Sequence, residues 1–253
     1  MKTNGFNLEF KYAGLVDMGS KRQSNQDEIA LAPSIPLFAV SDGMGGLDKG
    51  GVASEYVKKA FPVLIESDIN LWDGEDDETI KTLLGKSVCL LSDRLFEQGN
   101  TTSWYRFGAT LVGVILHDNK AFFVNLGDSR GYMLPYYKKN LRQVTKDMNI
   151  ARYLVEYGEM KKEEAKDSPE SSRLTSFVGI EPPANPETYA VELKHGDRIL
   201  LCSDGLYGMV PEREIAKIMR SSKSPEKVCK RLIDKANEYG GRDNISAVYI
   251  YIN

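Results

Sequence analysis

The chain has 253 residues, 42% hydrophobic and 27% charged, the composition of an ordinary globular protein with one large domain or two small ones. A net charge of −3 leaves no basic surplus for nucleic acid or an anionic membrane, and the longest apolar runs are strand-length, too short to span a bilayer. Three cysteines, Cys89, Cys202 and Cys229, form neither an even disulfide framework nor a zinc knuckle, and residues 1–10 carry no signal-peptide pattern, which together point to a reducing, cytoplasmic setting.

Residues 8–16 alternate weakly and read as a strand, and turn-rich stretches at 19–25 and 42–51 flank apolar runs at 29–32 and 37–40. Ala53, Tyr56, Val57, Ala60 and Leu64 recur at helical spacing, with Pro62 expected to kink that helix or mark a late turn. After an acidic loop at 68–78, Ile80, Leu83, Leu84, Val88, Leu91 and Leu95 predict one long amphipathic helix closed by Gly99. The period then changes. Runs at 109–116, 121–126 and 129–134 read as a β-meander. A charged helix is expected over 148–166, and the segment 145–172, lightly hydrophobic and lying between strands, reads as a flap. Strands follow at 188–193 and 198–202, helices at 211–220 and 224–239, and a last strand at 245–252. Helices inserted in pairs between strands argue against regular βαβ alternation and for antiparallel sheets flanked by helices in one domain over 1–253.

The chemistry lies in carboxylates. Leu37–Gly43 and Ile199–Gly205 are each an apolar run ending in Ser-Asp-Gly, which places Asp42 and Asp204 at strand ends. Asp128 directly follows another apolar run, Asp243 precedes the last strand, and Asp27 opens the second. One Asp-Gly is ordinarily an Asx-turn. Five aspartates at strand ends are different: desolvated like charges need a cation, and an oxygen-only set selects Mg²⁺ or Mn²⁺. The glycine after Asp42 allows close backbone approach.

These residues carry a resemblance. Arg22 to Asp27 (RQSNQD), Ser41 to Gly46 (SDGMGG), Gly108-Ala-Thr110, Gly127-Asp-Ser-Arg130, Cys202 to Leu206 (CSDGL) and Arg242-Asp-Asn-Ile245 resemble, in order, the motifs of the bacterial-type type 2C (PPM) metal-dependent protein serine/threonine phosphatases. The resemblance covers residue 14 to the C-terminus. It implies an α+β fold of four αββα layers, a central antiparallel β-sandwich flanked by helices, with two Mn²⁺ or Mg²⁺ ions at one edge. By position, Asp42 would bridge both ions, Gly43 would bind one through its carbonyl, and Asp204 and Asp243 would complete the ligands. Asp128 with Asp204 matches a pair that holds a third ion, Asp27 a further acidic group, and Arg22 the arginine that grips substrate phosphate. Asn244 would orient a water or a ligand. The implied reaction is hydrolysis of phosphoserine and phosphothreonine by a metal-activated water without a phosphoenzyme, on phosphorylated proteins that are substrates of a serine/threonine kinase.

Two positions depart from many relatives. Gln26 stands where glutamate helps ligate the second metal, and supplies no charge. Met44 stands where histidine serves as general acid, and cannot donate a proton, which leaves that role to metal-bound water. A phosphatase-like regulatory module with weak turnover and a small-molecule phosphatase are the alternative readings, separable by Mn²⁺ calorimetry and a substrate screen. His117 and His195 are expected in surface turns, no cysteine has the arginine six positions on that a thiolate phosphate loop needs, and Trp72 and Trp104 flank loops without an assigned role.

Overall fold

The computed structural model describes residues 8–45, 49–69, 72, 74–102, 107–165 and 168–253. Eleven strands among them form two antiparallel sheets. One takes the order β1 (Phe10–Asp17), β11 (Ile245–Ile252), β10 (Arg198–Cys202), β7 (Arg130–Leu134) and β8 (Arg142–Gln143). The other takes the order β2 (Asp27–Ala32), β3 (Leu37–Met44), β5 (Leu111–His117), β6 (Lys120–Leu126) and β9 (Glu187–Glu192), with β4 (Gly108–Ala109) paired to the end of β3.

The central strands read as continuous apolar runs because both of their faces are covered. Along β3, Phe38 and Val40 face the opposite sheet with Val112, Val114, Ile199, Leu201, Val248 and Ile250. Leu37 and Ala39 face outward, where helices α1 (Lys49–Asp68) and α2 (Asp77–Thr102) lay Val57, Phe61, Leu84 and Val88 over them. On the far side Leu200, Cys202 and Tyr249 meet α6 (Glu212–Arg220) and α7 (Pro225–Glu238) through Ile215, Met219, Val228 and Leu232. The four layers implied by the resemblance are therefore present. In α7, Ser224 Oγ accepts from the Lys227 N–H and Pro225 occupies the first turn, a start signal legible in the sequence.

Several expectations need correction. Pro62 lies inside α1, which runs on to Asp68 rather than ending at the proline in a turn, and α2 continues past Gly99 to Thr102. The helix expected over 148–166 is two pieces, α3 (Ile150–Glu156) and α4 (Lys162–Ala165), because the chain turns at Gly158 with φ +75°. A one-turn helix, α5 (Asp204–Tyr207), follows β10 directly and had no apolar period to announce it. His117 is not in a surface turn: it closes β5, fully buried against Trp72 and Phe122. His195 is exposed as expected, and Trp104 lies outside the described residues.

Candidate active site

Strand register gathers the aspartates. In the β2–β3 ladder Asp27 stands directly opposite Asp42. In the other sheet Cys202 pairs with Arg130 on one side and Ala247 on the other. Asp204 lies two residues past Cys202, Asp128 two before Arg130 and Asp243 four before Ala247. In antiparallel ladders all three thus leave the sheet at the same end. Arg22, Gln26, Asp42, Gly43, Met44, Asp128, Asp204, Asp243 and Asn244 line one cleft of about 590 Å³. Ser172 and Leu174, from the end of the 145–172 segment and just beyond it, complete the rim.

Each carboxylate is held by local chemistry. The Asp42 N–H donates to Thr110 Oγ1 at 3.0 Å, and that hydroxyl shares a hydrogen bond with Ser129 Oγ at 2.6 Å. Ser203 and Ser246 hydroxyls donate to Asp27 Oδ2 at 2.7 and 2.6 Å. Arg22 Nη2 donates to Asp243 Oδ2 at 2.6 Å. Gly43 packs so tightly that a Cβ there would lie 2.1 Å from the Gly50 carbonyl oxygen, and one on Gly205 would lie 1.9 Å from that of Asn244. Both glycines of the two Ser-Asp-Gly runs are thereby required by backbone contact.

The electrostatics are those of a crowded anionic site. Burial, then the charges of Asp27, Asp204, Asp128 and Asp243, holds the Asp42 carboxyl well above the usual range. Asp128 is raised in the same way, by burial and then by Asp204. Burial and then Asp243 and Asp27 push Asp204 up to about 7. Burial outweighs the two serine hydroxyls at Asp27, which rises to about 6. Among the described residues no three His, Cys, Asp or Glu side chains are already gathered into a metal cage. Asp42, Asp128, Asp204 and Asp243 line the cleft together. Asp204 Oδ1 and Asp27 Oδ1 are buried without any hydrogen-bond partner. Orphaned carboxylate oxygens in an oxygen-only set fit a hard divalent cation such as Mg²⁺ or Mn²⁺.

All nine residues singled out in the sequence fall in or against this cleft, with Asp27 immediately behind Asp42. Asn244 is held by three hydrogen bonds. Its Oδ1 accepts from the Gln26 N–H, and its Nδ2 donates to the Met18 and Ser24 carbonyls, all at 2.9 Å. It fastens the loop that carries Arg22, and its Oδ1 keeps a second lone pair at the cleft lining. Gln26 itself lines the cleft with a neutral side-chain amide, and its backbone carbonyl accepts from the Gly43 N–H at 2.9 Å and from Ser54 Oγ at 2.6 Å. Sequence reading missed Ser246 as a partner of Asp27. A serine inside the otherwise β-branched and aromatic β11 was the available signal.

A family model described as protein phosphatase 2C matches residues 19–243. The chain is 34% identical over 241 residues to the serine/threonine phosphatase stp of Listeria monocytogenes serotype 4b (strain F2365), with 92% of each chain covered. The structure of the Mycobacterium tuberculosis serine/threonine phosphatase PstP/Ppp superposes with a TM-score of 0.81 at 30% identity, over 96% of this chain and 99% of that one. The catalytic domain of PstP in complex with two manganese ions gives 0.80 at 29% identity, over 97% and 99%. With motifs in order, strand ends converging and a family match over most of its length, this chain belongs to the protein phosphatase 2C family.

Proposed function

We propose that the protein hydrolyses phosphoserine and phosphothreonine in other proteins, with divalent metal ions and without a phosphoenzyme. The observation that carries this reading is the convergence of Asp42, Asp128, Asp204 and Asp243 with Arg22 on one cleft, where Asp204 Oδ1 is buried and unpartnered. Asp42 and the Gly43 carbonyl, with Asp204 and Asp243, would hold two Mn²⁺ or Mg²⁺ ions. Asp128 with Asp204 would hold a third, and Asp27 supports Asp42 from behind. When bound, such ions supply a water acidified to near-neutral pH as nucleophile, and positive charge against the phosphate oxygens.

The chain's own side chains do the rest. Arg22, about half exposed at the mouth, presents a planar fork suited to two phosphate oxygens. Asp243 and the loop fastened by Asn244 fix where that fork sits. Met44 lines the cleft with no proton to give, so the leaving alkoxide takes its proton from water. A thiol route is closed, because Cys202 is fully buried and burial pushes its thiol upward. The chain acts as one catalytic unit with the segment 145–172 as its flap. Phosphoproteins made by a serine/threonine kinase in the cytoplasm are the substrates. No helix among the described residues is long and apolar enough to cross a membrane.

Turnover of a phosphothreonine peptide with Mn²⁺, for the wild type and Asp204→Asn, tests the proposal. Mn²⁺-dependent release of phosphate that the substitution abolishes is expected. Metal-independent turnover, or an unaffected variant, overturns it.

A further inference from the structure

Arg130 sits two residues after Asp128 and does not line the cleft, yet its side chain is only 13% exposed. Its Nε and Nη2 donate to the two carboxylate oxygens of Asp147 at 2.8 and 2.6 Å. The guanidinium carbon lies 3.6 Å from the centre of the Tyr207 ring. The Tyr207 hydroxyl in turn donates to the backbone carbonyl of Asp128 at 3.0 Å. Tyr207 is the last residue of α5, whose first residue is Asp204. A closed path therefore runs from Asp204 through its helix to Tyr207, and from there both to the Asp128 backbone and, through Arg130, to Asp147.

The same backbone is clasped from the other side. The Met148 N–H donates to the Gly127 carbonyl at 2.9 Å, and Asn125 Nδ2 donates to the Lys146 carbonyl at 2.8 Å. The carbonyls of Gly127 and Asp128 are thus each held from a different element. A largely buried ion pair is a weak source of net stability, because desolvation offsets much of its attraction. A bidentate, stacked guanidinium does supply fixed geometry.

We infer that Arg130 and Tyr207 are positioning residues that fix the Asp128 backbone relative to Asp204 and tie both to Asp147 at the root of the 145–172 segment. The inference rests on the reading above that Asp128 and Asp204 share a metal ion. Outer partners of this kind set ligand orientation, and their loss typically weakens metal binding about 10- to 100-fold.

Calorimetric titration of the full chain with Mn²⁺, beside thermal melting and p-nitrophenyl phosphate kinetics, separates the outcomes. Tyr207→Phe removes only the hydroxyl and should fold. In this variant the Mn²⁺ step that Asp128→Asn removes should weaken about tenfold with the other steps unchanged. Its kcat should fall at limiting Mn²⁺ and recover at excess, with KM unchanged. Arg130→Lys keeps the charge without the fork and should move the same step in the same direction. Asp128→Asn should lose that step. An unchanged Tyr207→Phe titration beside an altered Asp128→Asn one overturns the inference alone. Equal weakening of every step with a lowered melting temperature assigns Tyr207 a merely structural part and also overturns it. An unchanged Asp128→Asn titration overturns the underlying reading and the inference with it.

Discussion

The Arg22 guanidinium reaches across 221 residues of sequence to Asp243 Oδ2, at 2.6 Å, while 54% of its side chain stays in solvent. An ion pair this exposed contributes little to stability. Its consequence is directional: the carboxylate aims the arginine into the mouth of the cleft.

Arg22→Ala should therefore leave thermal stability nearly unchanged and raise KM for a phosphopeptide about 10- to 100-fold, the loss of charge-assisted hydrogen bonds of about 1.5–3 kcal/mol. Arg22→Lys should recover only part of that, because an ammonium lacks the two-pronged fork. An unchanged KM in the alanine variant, or full recovery with lysine, would contradict the role.

The segment 145–172, proposed above as a flap, makes a different prediction. Asn149 caps α3 and its Nδ2 donates to the Ser171 carbonyl at 2.9 Å, while Arg152 pairs with Glu187 at 3.0 Å, so the described part of the segment is pinned at its root. Replacing residues 153–170 with a short Gly–Ser link should alter turnover of a phosphoprotein more than that of p-nitrophenyl phosphate. Equal changes on both would count against a role in substrate access.

Ser246→Ala removes one of the two hydroxyls that serve Asp27 Oδ2. A buried carboxylate deprived of a donor costs about 1–3 kcal/mol, readable as a lower urea midpoint in the absence of metal. A midpoint equal to the wild type's would show that Ser203 alone suffices.

Burial pushes the Cys229 thiol up to about 12. The folded pKa therefore exceeds the unfolded value of about 8.5, so the stability contributed is complete below that pH and is lost as pH rises toward about 12. Cys202, Tyr207 and Tyr249 are raised as well and act in the same direction. Melting temperature should fall steadily above about pH 9, and iodoacetamide at pH 8 should modify half-buried Cys89 before the other two thiols. Prompt alkylation of Cys229 in the folded protein would contradict its burial.

What could be read from the chain was what each strand says about its own ends. Asp42 and Asp204 each close an apolar run before glycine, and Asp27, Asp128 and Asp243 adjoin others, so the ligand candidates were visible without any partner in view. What joins them was not. The bonds from Ser203 and Ser246 to Asp27 span 176 and 219 residues, and they exist only because the sheet register and the packing of the two sheets bring those ends together. The break at Gly158 was hidden because Ala151, Leu154, Val155 and Met160 fit a helical spacing on both sides of it. His117 was misread for a related reason: its neighbours Asp118 and Asn119 make a polar turn, while the burial comes from Trp72, distant in sequence.

The most direct measurement is the melting temperature of the wild type and of Asp42→Asn, each with and without Mn²⁺. Mn²⁺ should raise the wild-type value, since a ligand at about 100 times its Kd adds about 2.7 kcal/mol. Without metal the variant should melt above the wild type, relieved of a buried like charge, and it should gain little from Mn²⁺. A wild type indifferent to Mn²⁺, or a variant that gains as much as the wild type, would contradict a carboxylate cluster built to hold divalent ions.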